Sequence, residues 1–211
     1  MTHYLIEFRF SGNAKKYLKE LIYDVSKTFN VKGATRRKPV PHISLAGPLY
    51  TNNERRLVKE VVDVVRNYDM VEFSLVGFGK FGNWLTGNRV IKVDIEPSKE
   101  LEEIRLEIAK KLKDFCKMTE FDNKKNFKFH TTIAFKDIDR KFGDIWDYIK
   151  QKQPPKMSQY LLRITIIKNQ EILCEYDLML KKFLTQRDAL NRDLFRKTLG
   201  ILKRKLENSD V

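Results

Sequence analysis

His42-Ile43-Ser44-Leu45 and His130-Thr131-Thr132-Ile133 are one four-residue phrase written twice: a histidine, any residue, a hydroxyl side chain and a branched aliphatic. Each copy follows a basic loop, Arg36-Arg37-Lys38-Pro39-Val40-Pro41 before the first, and residues 122–128 with Lys124, Lys125 and Lys128 before the second. Side chains alternate faces along a strand, so His42 is expected beside Ser44 and His130 beside Thr132, with Ile43, Leu45, Thr131 and Ile133 turned away. A lone histidine in a strand is ordinarily a satisfied core residue. Two of only three histidines standing in matching frames are weighed differently.

Working outward from the first phrase, residues 4–10 read as a strand, and from Asn13 a stripe of Tyr17, Leu18, Leu21, Ile22, Val25 and Phe29 predicts a helix. The strand 42–45 is expected to close at Gly47-Pro48, and Asn52 or Asn53 to cap a helix reaching about residue 68. Strands over 71–78 and 89–95 flank a glycine-containing loop, 79–84, and Ser98 caps a third helix through 115. Around the second phrase the order returns: strand 130–135, a helix over 141–151 ended by Gln153-Pro154-Pro155, then strands 160–167 and 171–180 about a turn at Asn169-Gln170. An approximately doubled order of elements predicts an α+β protein of two similar lobes. If the lobes face each other, two imidazoles and two hydroxyls meet in one cleft. Residues 1–183 form this two-lobed domain. Residues 184–211 form a basic amphipathic tail, with Leu190, Leu194, Phe195, Leu199, Ile201, Leu202 and Leu206 on one arc and Arg192, Arg196, Lys197, Lys203 and Arg204 on the other.

The bulk composition narrows the function. With 211 residues and 42% hydrophobic content the chain can bury an ordinary core. No apolar run approaches the roughly 18 residues that span a membrane, and the first eight residues lack a signal pattern, so a cytoplasmic protein with no membrane partner is expected. Cys116 and Cys174 stand far apart, which suggests neither a disulfide framework nor a zinc site. A formal charge of +14 makes nucleic acid the leading partner class, the plain alternative being a solvated lysine-rich surface.

The paired phrases suit phosphodiester chemistry. A histidine titrates near neutral pH, so one imidazole can take a proton while the other gives one. Ser44 and Thr132 can donate to the non-bridging oxygens of a phosphate. A metal site would need a third ligand that neither phrase supplies nearby, so no metal and no other cofactor is expected. Ser44 as nucleophile lacks the G-x-S-x-G elbow. Arg36, Arg37 and Lys38 can hold a nucleic-acid backbone. Tyr50, Phe81 and Trp84 can stack a base, although ordinary packing accounts for each equally well.

His42-Ile43-Ser44-Leu45-Ala46-Gly47-Pro48 and His130-Thr131-Thr132-Ile133-Ala134 resemble the paired signatures of the two-histidine phosphoesterase superfamily, especially its RNA 2′,3′-cyclic phosphodiesterase and 2′-5′ RNA ligase branch. The opening strand, Gly77-Phe78-Gly79-Lys80-Phe81 and the strand after it are also similar, and the resemblance covers about residues 4–180. It implies a bilobal, pseudo-symmetric fold of two antiparallel-type sheets flanked by helices with a central cleft. It also implies metal-independent hydrolysis of RNA 2′,3′-cyclic phosphate ends, tRNA fragments among them, to 2′-phosphates. In that scheme His42 is the acid toward the 3′ oxygen, His130 activates water, and Ser44 and Thr132 hold the phosphate. Relatives often carry an arginine directly after the second phrase, where this chain has Phe135 and then Lys136; alternation would put Lys136 on the cleft face. A 2′-5′ RNA ligase, a small cyclic-nucleotide phosphodiesterase and a non-catalytic RNA- or nucleotide-binding module remain open at this stage.

Overall fold

A computed structural model of the chain describes residues 2–36, 38–82 and 89–209. Its elements run β1 (Thr2–Arg9), α1 (Gly12–Phe29), β2 (His42–Thr51), α2 (Glu54–Val65), β3 (Val71–Phe81), β4 (Val90–Pro97), α3 (Lys99–Leu112), β5 (His130–Phe135), α4 (Phe142–Lys150), β6 (Met157–Leu161), β7 (Arg163–Lys168), β8 (Glu171–Asp177), β9 (Lys182–Thr185), α5 (Gln186–Ala189) and α6 (Arg192–Ser209). They build two antiparallel sheets, β2-β1-β7-β8-β9 and β5-β4-β3-β6. This is the α+β, two-sheet architecture expected, with each histidine strand at an edge of its sheet.

The lobes are not the two halves of the chain. From the first half, β4 pairs with β5 and β3 with β6, and from the second half β7 returns to pair with β1 and carries β8 and β9 into that sheet. The stretch 160–167, read as one strand, is therefore two. It breaks at Leu162, with β6 in one sheet and β7 in the other. Helix α1 also crosses over to pack on β5, burying Ala14, Leu18, Leu21, Ile22 and Val25. Burying aliphatic side chains of this size contributes roughly 1.5–3 kcal/mol each, so the crossovers tie the lobes together through a shared core.

Several boundaries differ from expectation for local reasons. β2 does not close at Gly47-Pro48 but continues to Thr51, because Tyr4, His3 and Thr2 of β1 go on pairing with it. Residues 79–81 are strand rather than loop, since Gly79, Lys80 and Phe81 pair with Lys92, Ile91 and Val90. Asn53 and Ser98 do cap α2 and α3, accepting from the amides of Arg56 and Leu101. The boundary drawn at 183/184 falls inside β9. The tail is a short helix followed by α6, not one helix from Thr185. Helix α6 docks through Thr198, which is fully buried and donates to Asp177 while accepting from Arg163, and through Phe195, Ile201 and Leu202. Leu190 and Leu199 of the expected apolar arc stay exposed. Among the described residues no helix is long and apolar enough to cross a membrane.

Candidate active site

Both four-residue phrases start an edge strand, and the two strands pack beside each other. Their backbones match in detail. In β2, Ala46 pairs with Ile6 and Ser44 with Glu7, leaving Leu45 as a bulge; in β5, Ala134 pairs with Ile91 and Thr132 with Lys92, leaving Ile133 as a bulge. A bulge residue breaks the two-residue alternation. Both strands accordingly bury their second, fourth and fifth residues and leave their first, third and sixth partly open. Leu45 and Ile133 are 1% exposed and anchor the bulges in the core.

The histidines are held alike. His42 Nδ1 lies 2.9 Å from the Val40 carbonyl oxygen and His130 Nδ1 lies 2.9 Å from that of Lys128. A carbonyl only accepts, so Nδ1 carries a proton in each ring and Nε2 is the atom left to gain or lose one. Burial pushes His130 below the ordinary histidine range. The Lys92 ammonium and the facing His42 push it the same way, while the Lys128 carbonyl and the Asp94 carboxylate oppose them. A neutral His130 with a bare Nε2 is a base. Nε2 of His42 instead stands 3.8 Å from Oε2 of the buried Glu7 carboxylate.

A cleft of about 440 Å³ opens beside the paired strands, lined by Glu7, Arg9, Arg36, Lys38, His42, Thr132, Phe135 and Lys136 among others. Four cations and one carboxylate in this set give it the charge of an anion site. The loop carrying Arg36 and Lys38 is clasped from the other lobe. Asp137, just past β5, accepts from the amides of Lys32 at 2.7 Å and Gly33 at 2.8 Å. The second basic loop is built around Arg105, 1% exposed, which donates to the carbonyls of Phe121, Asp122 and Lys124 and lies over the Phe127 ring. Asp122 in turn accepts from the Gly47 amide, joining that loop to β2.

The remaining expected residues divide. Phe81 comes to the site, but its ring packs edge-on against His130 with centroids 4.8 Å apart and lies under the Lys92 ammonium. Lys136 lines the cleft, although not by alternation: the bulge at Ile133 puts Ala134 in the core, and Lys136 turns in through a left-handed backbone, φ 71°. Tyr50 is not in the cleft. It sits near the far end of β2, about 26 Å along the strand from His42, against His3 and the backbone of Lys117. Arg37 and Trp84 lie outside the described residues. Sequence reasoning missed Glu7, Arg9, Lys92, Asp94, Arg105 and Asp137. The signal for the first four was present, as oppositely charged residues two apart within the apolar strands Ile6-Glu7-Phe8-Arg9 and Ile91-Lys92-Val93-Asp94.

Two matched edge strands pack side by side, His42 of the first and Thr132 of the second lining the cleft while Ser44 and His130 are partly open beside it, and this is the arrangement of a two-histidine phosphoesterase. The sequence profile of the 2′-5′ RNA ligase superfamily matches residues 20–170, and the chain belongs to that superfamily. Among solved structures it is similar to Usb1 of Kluyveromyces marxianus, at 9% identity and a TM-score of 0.51, over 84% of this chain and 97% of that one. The same protein with uridine monophosphate gives 10% identity and a TM-score of 0.50, over 84% and 97%. LigT of E. coli, in complex with ATP, gives 14% identity and a TM-score of 0.50, over 84% of this chain and 98% of that one. At such identities the likeness is one of fold. No curated protein sequence matches the chain.

Proposed function

We propose that the chain hydrolyses 2′,3′-cyclic phosphate ends of RNA to 2′-phosphates without a metal, with His130 as general base and His42 as general acid. The observation that carries this reading is the matched pair of bulged edge strands, each holding its histidine by Nδ1 so that Nε2 is free for proton transfer. His130 takes a proton from water as its oxygen attacks phosphorus. The bond from phosphorus to the 3′ oxygen breaks, and His42 supplies that oxygen with a proton, leaving a 2′-phosphomonoester. Ser44 and Thr132 donate to the non-bridging oxygens, where the added negative charge collects. Arg36, Arg37, Lys38 and Lys136 hold neighbouring phosphates, and Phe81 orients His130 rather than stacking a base. Membership of a superfamily named for RNA joining, the surplus of +14 and the cation-lined cleft favour RNA as the substrate class. Among the described residues no cluster of three or more histidine, cysteine or carboxylate side chains could hold a metal ion. The cytoplasm is the proposed location.

The test is incubation of the full chain with RNA bearing a 2′,3′-cyclic end in the presence of EDTA, followed by identification of the product. A 2′-phosphate is expected; a 3′-phosphate or a joined strand would reassign the reaction. His42→Ala and His130→Ala should each lower turnover by roughly 10²–10⁴-fold with folding intact, the range for positioned acid–base groups. Undiminished turnover in either variant, or loss of activity in EDTA restored by zinc or manganese, would refute the assignment.

A further inference from the structure

The strand registers around the two histidines correspond residue for residue, and at two positions the charges are reversed. Beside the first phrase, Glu7 pairs with Ser44 and Arg9 with His42; beside the second, Lys92 pairs with Thr132 and Asp94 with His130. The residue next to the hydroxyl is an acid in one lobe and a base in the other. Each makes an ion pair with the residue two further along its own strand. Glu7 Oε1 accepts from Arg9 Nε at 2.6 Å, and Lys92 Nζ donates to Asp94 Oδ1. Glu7 and Lys92 are each 3% exposed, so their charges are poorly screened where they meet the rings. Glu7 keeps its second oxygen for His42. Room for the second pair is built in as well: a Cβ at Gly79, the β3 partner of Lys92, would collide with both the Asp94 carboxylate and the Lys92 ammonium.

We propose that these charge-inverted ion pairs divide the labour between two otherwise equivalent histidines, Glu7 holding a proton on His42 and Lys92 keeping His130 free of one. Both are positioning residues, acting through the imidazoles, and the inference rests on the acid–base reading of His42 and His130. An acid and a base are productive together only when one ring is charged and the other neutral. Two identical rings in identical frames would rarely hold that arrangement; opposite neighbours make it the prevailing one. The other charged groups facing the rings do not restore the symmetry. His130 meets Lys92, Asp94 and His42, with Phe81 as its ring neighbour. Arg9, Arg36, Lys38 and Lys136 share the cleft with His42, but Glu7 stands between its Nε2 and the Arg9 guanidinium.

The test combines NMR titration of the assigned histidine ring protons with pH profiles of kcat/KM. Lys92→Met should raise the His130 midpoint, burial still holding it down, and carry the acid limb of the profile upward with it, because the base must be neutral to act. Asp94→Asn, at a more exposed site, should move the same limb the opposite way, and Lys92→Arg should leave it in place. Glu7→Gln removes the carboxylate that stands 3.8 Å from His42 Nε2 and should bring the alkaline limb of the profile to lower pH, leaving the acid limb unchanged. A His130 midpoint indifferent to both Lys92→Met and Asp94→Asn overturns the proposal, as does a Glu7→Gln variant that loses turnover with both limbs fixed. The ring titrations need no substrate. Absence of cyclic-phosphate turnover therefore refutes the proposed function, and an unmoved titration refutes this inference.

Discussion

Asp137, from the lobe of His130, grips the start of the basic loop before His42 by two hydrogen bonds, and its removal should be felt in substrate binding. Its carboxylate accepts two backbone hydrogen bonds, from Lys32 at 2.7 Å and Gly33 at 2.8 Å. Hydrogen bonds to a charged acceptor contribute about 1.5–3 kcal/mol when buried. Asp137 is exposed, so solvent screening reduces the pair together to about 1–2 kcal/mol. If Arg36 and Lys38 bind phosphate only from the clasped loop, that energy appears as a rise in KM of roughly 5–30-fold in Asp137→Ala, since 1.4 kcal/mol is a factor of ten. The chemistry at the histidines is untouched, so kcat should stay within about twofold. Gly33→Ala attacks the clasp from the other side. A Cβ there would strike the Phe135 carbonyl and the Asp137 carboxylate, so KM should rise in the same way. The effect has a sign in pH. Burial alone would raise the Asp137 pKa, but the amides of Lys32 and Gly33 hold it below the ordinary carboxylate range. The clasp is thus complete above the usual aspartate value and opens as pH falls through the lowered one. Steady-state kinetics on a cyclic-ended oligonucleotide reads all three. A fall in kcat at constant KM, or no change in either variant, would refute the clasp.

Neutralising Arg36, Arg37 and Lys38 together should weaken binding of an RNA oligomer and flatten its salt dependence, because fewer counterions are released. Turnover of a mononucleoside 2′,3′-cyclic phosphate should change much less; equal losses on both substrates, read from kcat/KM against chain length and salt, would favour a small-molecule substrate. Arg163→Met should cost about 3–5 kcal/mol by denaturant titration, since it strands the fully buried Asp177 carboxylate and the buried Glu175 beneath α6. Turnover per folded molecule should persist, and a marginal loss of stability would show that α6 is held by its apolar contacts alone.

The two-lobed character was legible because it rests on local periodicity. Of the stripe Tyr17, Leu18, Leu21, Ile22, Val25 and Phe29, the middle four are buried on α1 and Tyr17 and Phe29 pack half-buried against the core, and Asn53 and Ser98 cap the helices they precede. What the chain order hides is pairing. The stretch 160–167 reads as one strand, and nothing local says that Leu161 pairs with Val71 while Arg163 pairs with Asp177. Strand partners are chosen by contacts between residues distant in sequence, so an apparent repeat of elements was read as a repeat of halves when the sheets in fact exchange strands.

The site shows the same limit at finer scale. Alternation correctly placed His42 with Ser44 and His130 with Thr132, because the regular part of each strand ends only after the hydroxyl residue. Lys136 does reach the cleft, but through its left-handed backbone past the bulge at Ile133 rather than by alternation, and Tyr50 packs on the cleft-lining His3 without lining the cleft itself. Base-stacking residues inferred from type alone carry no distance information. Charged residues inside apolar strands do carry it, because their burial must be balanced by a partner close by. Glu7 with Arg9 and Lys92 with Asp94 are such residues, two apart and opposite in sign. Their place beside the histidines follows from strand pairing, and their reversed order follows from nothing that folding requires. Either polarity would neutralise the pair equally well. The reversal is therefore best understood through the chemistry, since an acid and a base need opposite neighbours where a pair of structural histidines would not.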